Sequence, residues 1–199
     1  LSALVSALML TVFQSQLVYF LMHGRLWLMI ATFAELGLVF VASSMAAKNS
    51  PAALPVFLIY SVLNGFTLSF VVAFYTPGTV LSAFVSSALL FFVMAAIGIF
   101  TKKDLSGMGR ALMAALVGLI IAMIVNIFLA SGFFDYMISI AMVLVFSGLI
   151  AWDNQKIRYV YEQSRGQVAT GWVISMALSI YLDFINLFLS ILRIFGRND

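Results

Sequence analysis

Apolar residues run along this chain in stretches of about twenty, each closed by a short polar break. As helix, about twenty residues cross roughly 30 Å of hydrocarbon, so the alternation predicts membrane-spanning helices. Seven are predicted, over residues 3–22, 26–47, 54–74, 79–100, 110–130, 135–153 and 171–194. The breaks have the chemistry of turns. His23-Gly24-Arg25, Lys48-Asn49-Ser50-Pro51 and Thr76-Pro77-Gly78 each combine polar residues with helix breakers. Thr101 to Gly109 and Asp153 to Thr170 are the only longer polar segments. Neither has room for a soluble domain, so the chain reads as a single transmembrane domain over 1–199 whose function lies within the helices or at their ends.

Composition agrees with this pattern. Hydrophobic residues make up 64% of the chain and charged residues 9%, against roughly a quarter charged in an ordinary soluble domain. The first residue is Leu, so further residues are expected to precede it. Residues 1–22 have neither a basic leader nor a small-residue cleavage site, and they read as a span and not as a signal peptide.

Lys and Arg set the orientation. Lys48, Lys102, Lys103, Arg110, Lys156, Arg158 and Arg165 fall on one side, and Arg25, Arg193 and Arg197 on the other. Seven against three places the first group in the cytoplasm, which puts the N-terminus inside and the C-terminus outside for an odd number of spans. The formal charge of +3 reflects this bias. No basic patch is interleaved with exposed aromatics as nucleic-acid binding would require, and the partner expected for the lysines is the anionic inner leaflet.

Several chemistries are excluded. Without cysteine there is no disulfide, thiolate metal site or cysteine nucleophile. The single histidine, His23, lies in a short loop and reads as an interfacial polar residue. No P-loop, GxSxG or HExxH occurs, and Gly107-Met108-Gly109 lacks the third glycine and preceding strand of a nucleotide-binding turn. No enzymatic activity and no bound cofactor are expected.

Candidate chemistry resides in polar groups at membrane depth. Asp183 stands at the centre of the last apolar stretch, inside YLDFINLF (181–188). An acidic residue at the bilayer midplane costs roughly 2.5–3.5 kcal/mol on insertion scales, so it faces a bundle interior or a water path. Ser175, Ser179, Asp183, Asn186 and Ser190 recur at helical spacing and form one polar stripe. Small and hydroxyl residues so spaced ordinarily serve helix packing, but the central aspartate shifts the balance towards an ion or proton path. Glu35 lies near the middle of the second span, one turn after Thr32, where its plain role is a hydrogen bond to a neighbouring helix. Asp153 ends the sixth span in AWDNQKI (151–157), and by position alone it is an ordinary solvated residue. Asn64 and Thr67 in the third span and Asn126 in the fifth are expected as buried hydrogen-bond partners.

YLDFINLF followed by Leu192-Arg193, AWDNQKI at the end of the sixth span, and FTKKDLSGMG (100–109) between the fourth and fifth resemble the transmembrane Bax inhibitor motif family, in its bacterial branch. The resemblance covers nearly the whole chain, with the last helix its most specific part and GFTLS (65–69) a weaker one. It implies a fold of two three-helix layers around a central seventh helix, in a bacterial cytoplasmic membrane. It also implies a calcium leak that responds to pH through paired aspartates of the sixth and seventh helices, here Asp153 and Asp183, which would meet Ca²⁺ transiently. Glu35 matches an acidic position of the second helix and, with Asp183 and Asn186, would line the ion path. Some relatives carry basic residues at the inner end of the second helix that latch the aspartates. Here the stretch is Met45-Ala46-Ala47-Lys48, leaving Lys48 as the nearby candidate.

Two carboxylates in contact inside a low-dielectric bundle cannot both ionise cheaply, so they share a proton and titrate as a pair. The protonated pair ties two helices together. Loss of the proton favours separation and exposes oxygen ligands of the kind Ca²⁺ accepts. For Asp153 to reach Asp183, the sixth helix must continue past Asp153, or the seventh must begin deeper. Other classes remain open. A non-transporting interaction protein would use the carboxylates only for packing, and a proton-coupled transporter would use them as carriers. An intramembrane aspartyl protease also needs two aspartates, but Tyr181-Leu182 precedes Asp183 where that class has Gly-x-Gly.

Overall fold

The computed structural model describes residues 1–198, without the side chains of residues 21, 23, 25–28 and 198. The sequence assignments for the side chains of His23 and Arg25 therefore lie outside the described residues. Eight α-helices follow in order: α1 (Ser2–Thr11), α2 (Gln14–His23), α3 (Arg25–Ala47), α4 (Ala53–Val72), α5 (Pro77–Phe100), α6 (Ser106–Leu129), α7 (Gly132–Gln163) and α8 (Thr170–Phe195). A 3₁₀ turn, Gly196–Asn198, follows α8, and no strand occurs among the described residues. Six helices are long and apolar enough to cross a membrane, or seven if α1 and α2 form one broken span.

The predicted boundaries hold to within a few residues for the second to fifth spans and the seventh. Two elements differ. The first predicted span is two ten-residue helices, with a bend of 93° between them. Thr11 Oγ1 donates to the Ala7 carbonyl at 2.7 Å, a local bond that competes with straight helix, and the polar run Gln14-Ser15-Gln16 follows. The sixth span does not stop at Asp153. As α7 it runs 32 residues to Gln163, about 48 Å at a rise of about 1.5 Å per residue. No Gly or Pro interrupts Ala151 to Gln163, and an Arg158–Glu162 pair at 2.7 Å supports the extension.

The chain divides into two compact units. The first comprises residues 1–76 with 169–178, the second residues 77–168 with 179–199. Within the first, α1 lies tightly on α4: Ser2 is buried and its hydroxyl donates to the Ser61 carbonyl at 2.5 Å, while a Cβ on Gly65 would collide with Ser2 and Val5. Phe20, Phe66 and Phe70 stack edge to face, Phe66 and Phe70 with ring centres 4.9 Å apart. Ala46, Ala53 and Ile174 pack with Met45 where α8 begins. There Asn49, in the left-handed region at φ 51°, presents its Oδ1 to the Gly171 amide at 2.6 Å.

Within the second unit, glycines bring α5 and α6 against α7. A Cβ on Gly98 would strike the Ala151 backbone, one on Gly109 the Trp152 ring, and one on Gly148 the Leu112 side chain. Phe84 and Phe91 of α5 meet Phe184 edge to face, and Phe84 also meets Phe188.

Buried positions are often small, as Ala42, Ala53, Ala83, Ser69 and Ser87 show, whereas Phe100, Ile127 and Phe128 are largely exposed. This is the distribution of a membrane bundle, in which lipid solvates large apolar side chains and helices associate through close packing. In α6 the one buried residue is Gly109.

Candidate functional site

Asp153 and Asp183 both belong to the second unit and both are buried, at 4% and 7% exposure. Because α7 stays helical through the AWDNQKI segment, Asp153 is a mid-helix residue, not a helix end. Its side chain is directed at α8, where the Ser179 hydroxyl donates to Asp153 Oδ2. Ser179 stands one turn before Asp183, a separation of about 6 Å along the axis. Asp183 lies within electrostatic reach of Asp153, and Lys156, one turn on in α7, also acts on Asp153. Asp183 Oδ2 has no hydrogen-bond partner among the described residues. A buried carboxylate oxygen without a donor is costly, of the order of 1–3 kcal/mol or more, and such an atom needs a proton, water or cation.

The stripe on α8 is thus of mixed use. Ser179 reaches across to Asp153, but Asn186 Nδ2 donates to the Leu182 carbonyl at 2.8 Å and Ser190 Oγ to the Asn186 carbonyl at 2.7 Å, both within their own helix. The Asn186 bond uses only its amide nitrogen, which keeps its side-chain oxygen for other partners. In the sequence, Ser179 is one member of the packing stripe. Its position one turn from the aspartate is the available signal for its contact with Asp153.

Glu35 belongs to the first unit and is half-buried. Thr67 Oγ1 of α4 donates to Glu35 Oε1, and Asn64 hydrogen-bonds the same carboxyl group. The expected neighbour-helix partners of this glutamate are therefore the two polar residues of the third span. Asn126, expected as a buried hydrogen-bond partner, is half-buried and bonds locally: its Oδ1 accepts from the Ser131 amide at 3.2 Å and its carbonyl from the Ala130 amide at 2.8 Å, so it closes the turn between α6 and α7. Ala130 there adopts φ 48°. Lys48 caps α3 and is exposed.

No cluster of three or more metal-ligating side chains occurs among the described residues. At the other side of α7, outside the span, Asp104 Oδ1 accepts from the Ser106 amide at 2.9 Å, and these Ser106 contacts hold the Asp104 carboxyl below the ordinary 3.8.

The chain is similar to known proteins along its length. An uncharacterized membrane protein of Streptococcus pyogenes serotype M1 is 57% identical over 199 residues, covering 100% of this chain and 87% of that protein. An uncharacterized protein, YrjE, of Lactococcus lactis is 48% identical over 195 residues, 98% of this chain and 83% of the relative. The inner membrane protein YbhL of Escherichia coli K12 is 40% identical over 181 residues, 89% and 77% of the two chains. The family model described as inhibitor of apoptosis-promoting Bax1 matches residues 1–199, and with these relatives it establishes that the chain is a membrane protein of the Bax inhibitor family.

Proposed function

We propose that this protein is a pH-sensitive calcium leak channel of the bacterial cytoplasmic membrane, gated by a proton held between Asp153 and Asp183. The observation that carries the proposal is the pairing of α7 with α8 through buried acidic chemistry: Asp153 accepts from Ser179, and Asp183, one turn further, has an unpartnered carboxylate oxygen. With one proton between them the aspartates carry a single negative charge and, with the Ser179 hydroxyl, hold the two helices together. Ionisation of both places like charges in a low-dielectric interior, and separation of the helices relieves the repulsion. The freed oxygens then match the hard-cation preference of Ca²⁺. Asp183 and Asn186 supply oxygen along the route. With α1 and α2 together crossing once, the charge bias puts the N-terminus in the cytoplasm and the C-terminus outside.

A protein that used these carboxylates only for packing would be expected to satisfy them. The unpartnered Asp183 oxygen favours transport over a purely structural role. A protease reading gains nothing from the site, because Tyr181-Leu182 keeps side chains where substrate backbone would approach. The decisive measurement is Ca²⁺ flux into liposomes containing the purified protein, for wild type and Asp183→Asn, between pH 6 and 8. Flux that varies with pH in wild type and loses that variation in the variant is expected. Absence of flux from a folded wild-type protein would reject the channel.

A further inference from the structure

The polar loop between α5 and α6 does not hang free. Gln155 of α7 grips it with both ends of its amide, Nε2 donating to the Lys103 carbonyl at 2.8 Å and Oε1 accepting from the Leu105 amide at 2.8 Å. The Arg158 guanidinium donates to the Ile99 carbonyl at the end of α5, and Gly109 lets α6 close onto the Trp152 ring. Between loop and helix lies a cavity of about 670 Å³ lined by Lys102, Lys103, Lys156 and Arg158.

The charge in this groove is unbalanced. Lys102, Lys103, Lys156 and Arg158 outnumber the two carboxylates that line it, Asp104 and Glu162, and Glu162 is paired with Arg158 at 2.7 Å. Lys156 stands 5.5 Å from the Trp152 ring centre. Lys102 and Lys103 are exposed and form no ion pair among the described residues. The groove also has a defined depth. It sits where α5, apolar to its last residue, gives way to α6, so it lies at the level of lipid headgroups. Trp152 and Tyr159 line it, and amphipathic rings of this kind prefer that level. Phe100, 78% exposed, borders the loop and offers an acyl chain an apolar surface next to the cations.

We propose that this groove binds the phosphate of an anionic phospholipid, with Lys102 and Lys103 as its principal cations and Gln155 as the residue that holds the loop in place. Basic pockets at headgroup depth recognise anionic lipids through this combination of charge and interfacial aromatics. The site is separate from calcium conduction and stands whether or not the protein conducts. It does lie on the helix that carries Asp153, two residues before Gln155.

The test is native mass spectrometry of the purified full chain in detergent with phosphatidylglycerol or phosphatidylcholine added. Wild type is expected to retain phosphatidylglycerol at least about tenfold more, and Lys102→Gln with Lys103→Gln to remove most of that preference, weakening retention by about tenfold, as two basic residues near a headgroup would. Lys102→Arg with Lys103→Arg should keep most of it, which separates lost charge from misfolding. Equal retention of the two lipids by wild type, or unchanged retention in the double Gln variant, would overturn the site. Displacement of the lipid by millimolar inorganic phosphate would assign the groove to a soluble phosphate and overturn the lipid reading.

Discussion

The Ser179 hydroxyl donates to Asp153 across the α7–α8 contact, so the acidic residue of one helix is held by a neutral donor of the next, one turn before that helix's own acid, Asp183. Hydrogen bonds to charged groups contribute roughly 1.5–3 kcal/mol, and a buried carboxylate that loses its donor bears the desolvation cost. Ser179→Ala should therefore lower stability by about 1–3 kcal/mol, which for a chain of this size is several degrees in Tm. Ser190→Ala removes only a bond to its own helix and should change Tm little. Equal Tm values for the two variants would show that the Ser179 contact is not maintained in the membrane.

The two aspartates should behave as one unit. In the proposed gate each of Asp153→Asn and Asp183→Asn removes one of the two charges whose repulsion would open the pair, so each is expected to abolish most of the pH response of Ca²⁺ flux. The double variant should add little, because residues that act together give strongly non-additive effects. Additive effects of the two substitutions would mean two independent titrations and no shared proton.

Much of this arrangement was legible in the pattern of apolar residues, because a helix in lipid must satisfy its backbone internally and must be about twenty residues long. Asp183 and Glu35 stood out for the same reason, as charges where charge is expensive. What the pattern misplaced was local. The run Gln14-Ser15-Gln16 inside the first apolar stretch was the sign of the bend after Thr11, but hydropathy averaged over twenty residues absorbs three polar ones. Asp153 looked like the end of a helix since polarity begins there, yet α7 carries on as a soluble-type helix with its own Arg158–Glu162 pair. Periodicity ends where the environment changes, and helix need not. Ser179 is one of a stripe in which Asn186 and Ser190 bond their own helix, and only the register of α7 against α8 distinguishes it.

Asp104 offers a control for the pH response. Its contacts with Ser106 hold its carboxyl below the ordinary 3.8, so whatever it contributes is present above that value and is lost only as the pH falls through the lower folded one. That window lies below about pH 4. Asp104→Asn should leave the pH dependence of Ca²⁺ flux between pH 6 and 8 unchanged, and a displaced midpoint would place a sensor in the α5–α6 loop.

Glycine packing gives a prediction independent of transport. Gly98 lies where a Cβ would strike the Ala151 backbone, two residues before Asp153, and backbone cannot yield as a flexible side chain can. Gly98→Ala should destabilise by about 1–3 kcal/mol, as overpacking does. A Cβ on Gly37, in α3, would meet nothing within 4 Å, so Gly37→Ala should be neutral or stabilising by about 0.5–1 kcal/mol. Thermal unfolding in detergent separates the two, and a Gly98→Ala protein as stable as wild type would mean that α5 and α7 are less closely packed in solution than the contact with Ala151 requires.

Glu35 is the acidic residue of the first unit, and its surroundings define its part. Thr67 and Asn64 both reach its carboxyl group from α4, so α3 and α4 are linked by polar contacts inside the first unit. Replacing it with Gln preserves the size and most of the hydrogen bonding while removing the charge that attracts a cation. If Glu35 lies along the ion route, Glu35→Gln should reduce Ca²⁺ flux severalfold without moving the midpoint of the pH response, which the proposed gate assigns to the aspartate pair. Thr67→Val, which keeps the charge and removes one donor, should leave more flux than Glu35→Gln. Flux equal to wild type in Glu35→Gln would reduce the residue to a packing contact, and a shifted midpoint would make it part of the sensor.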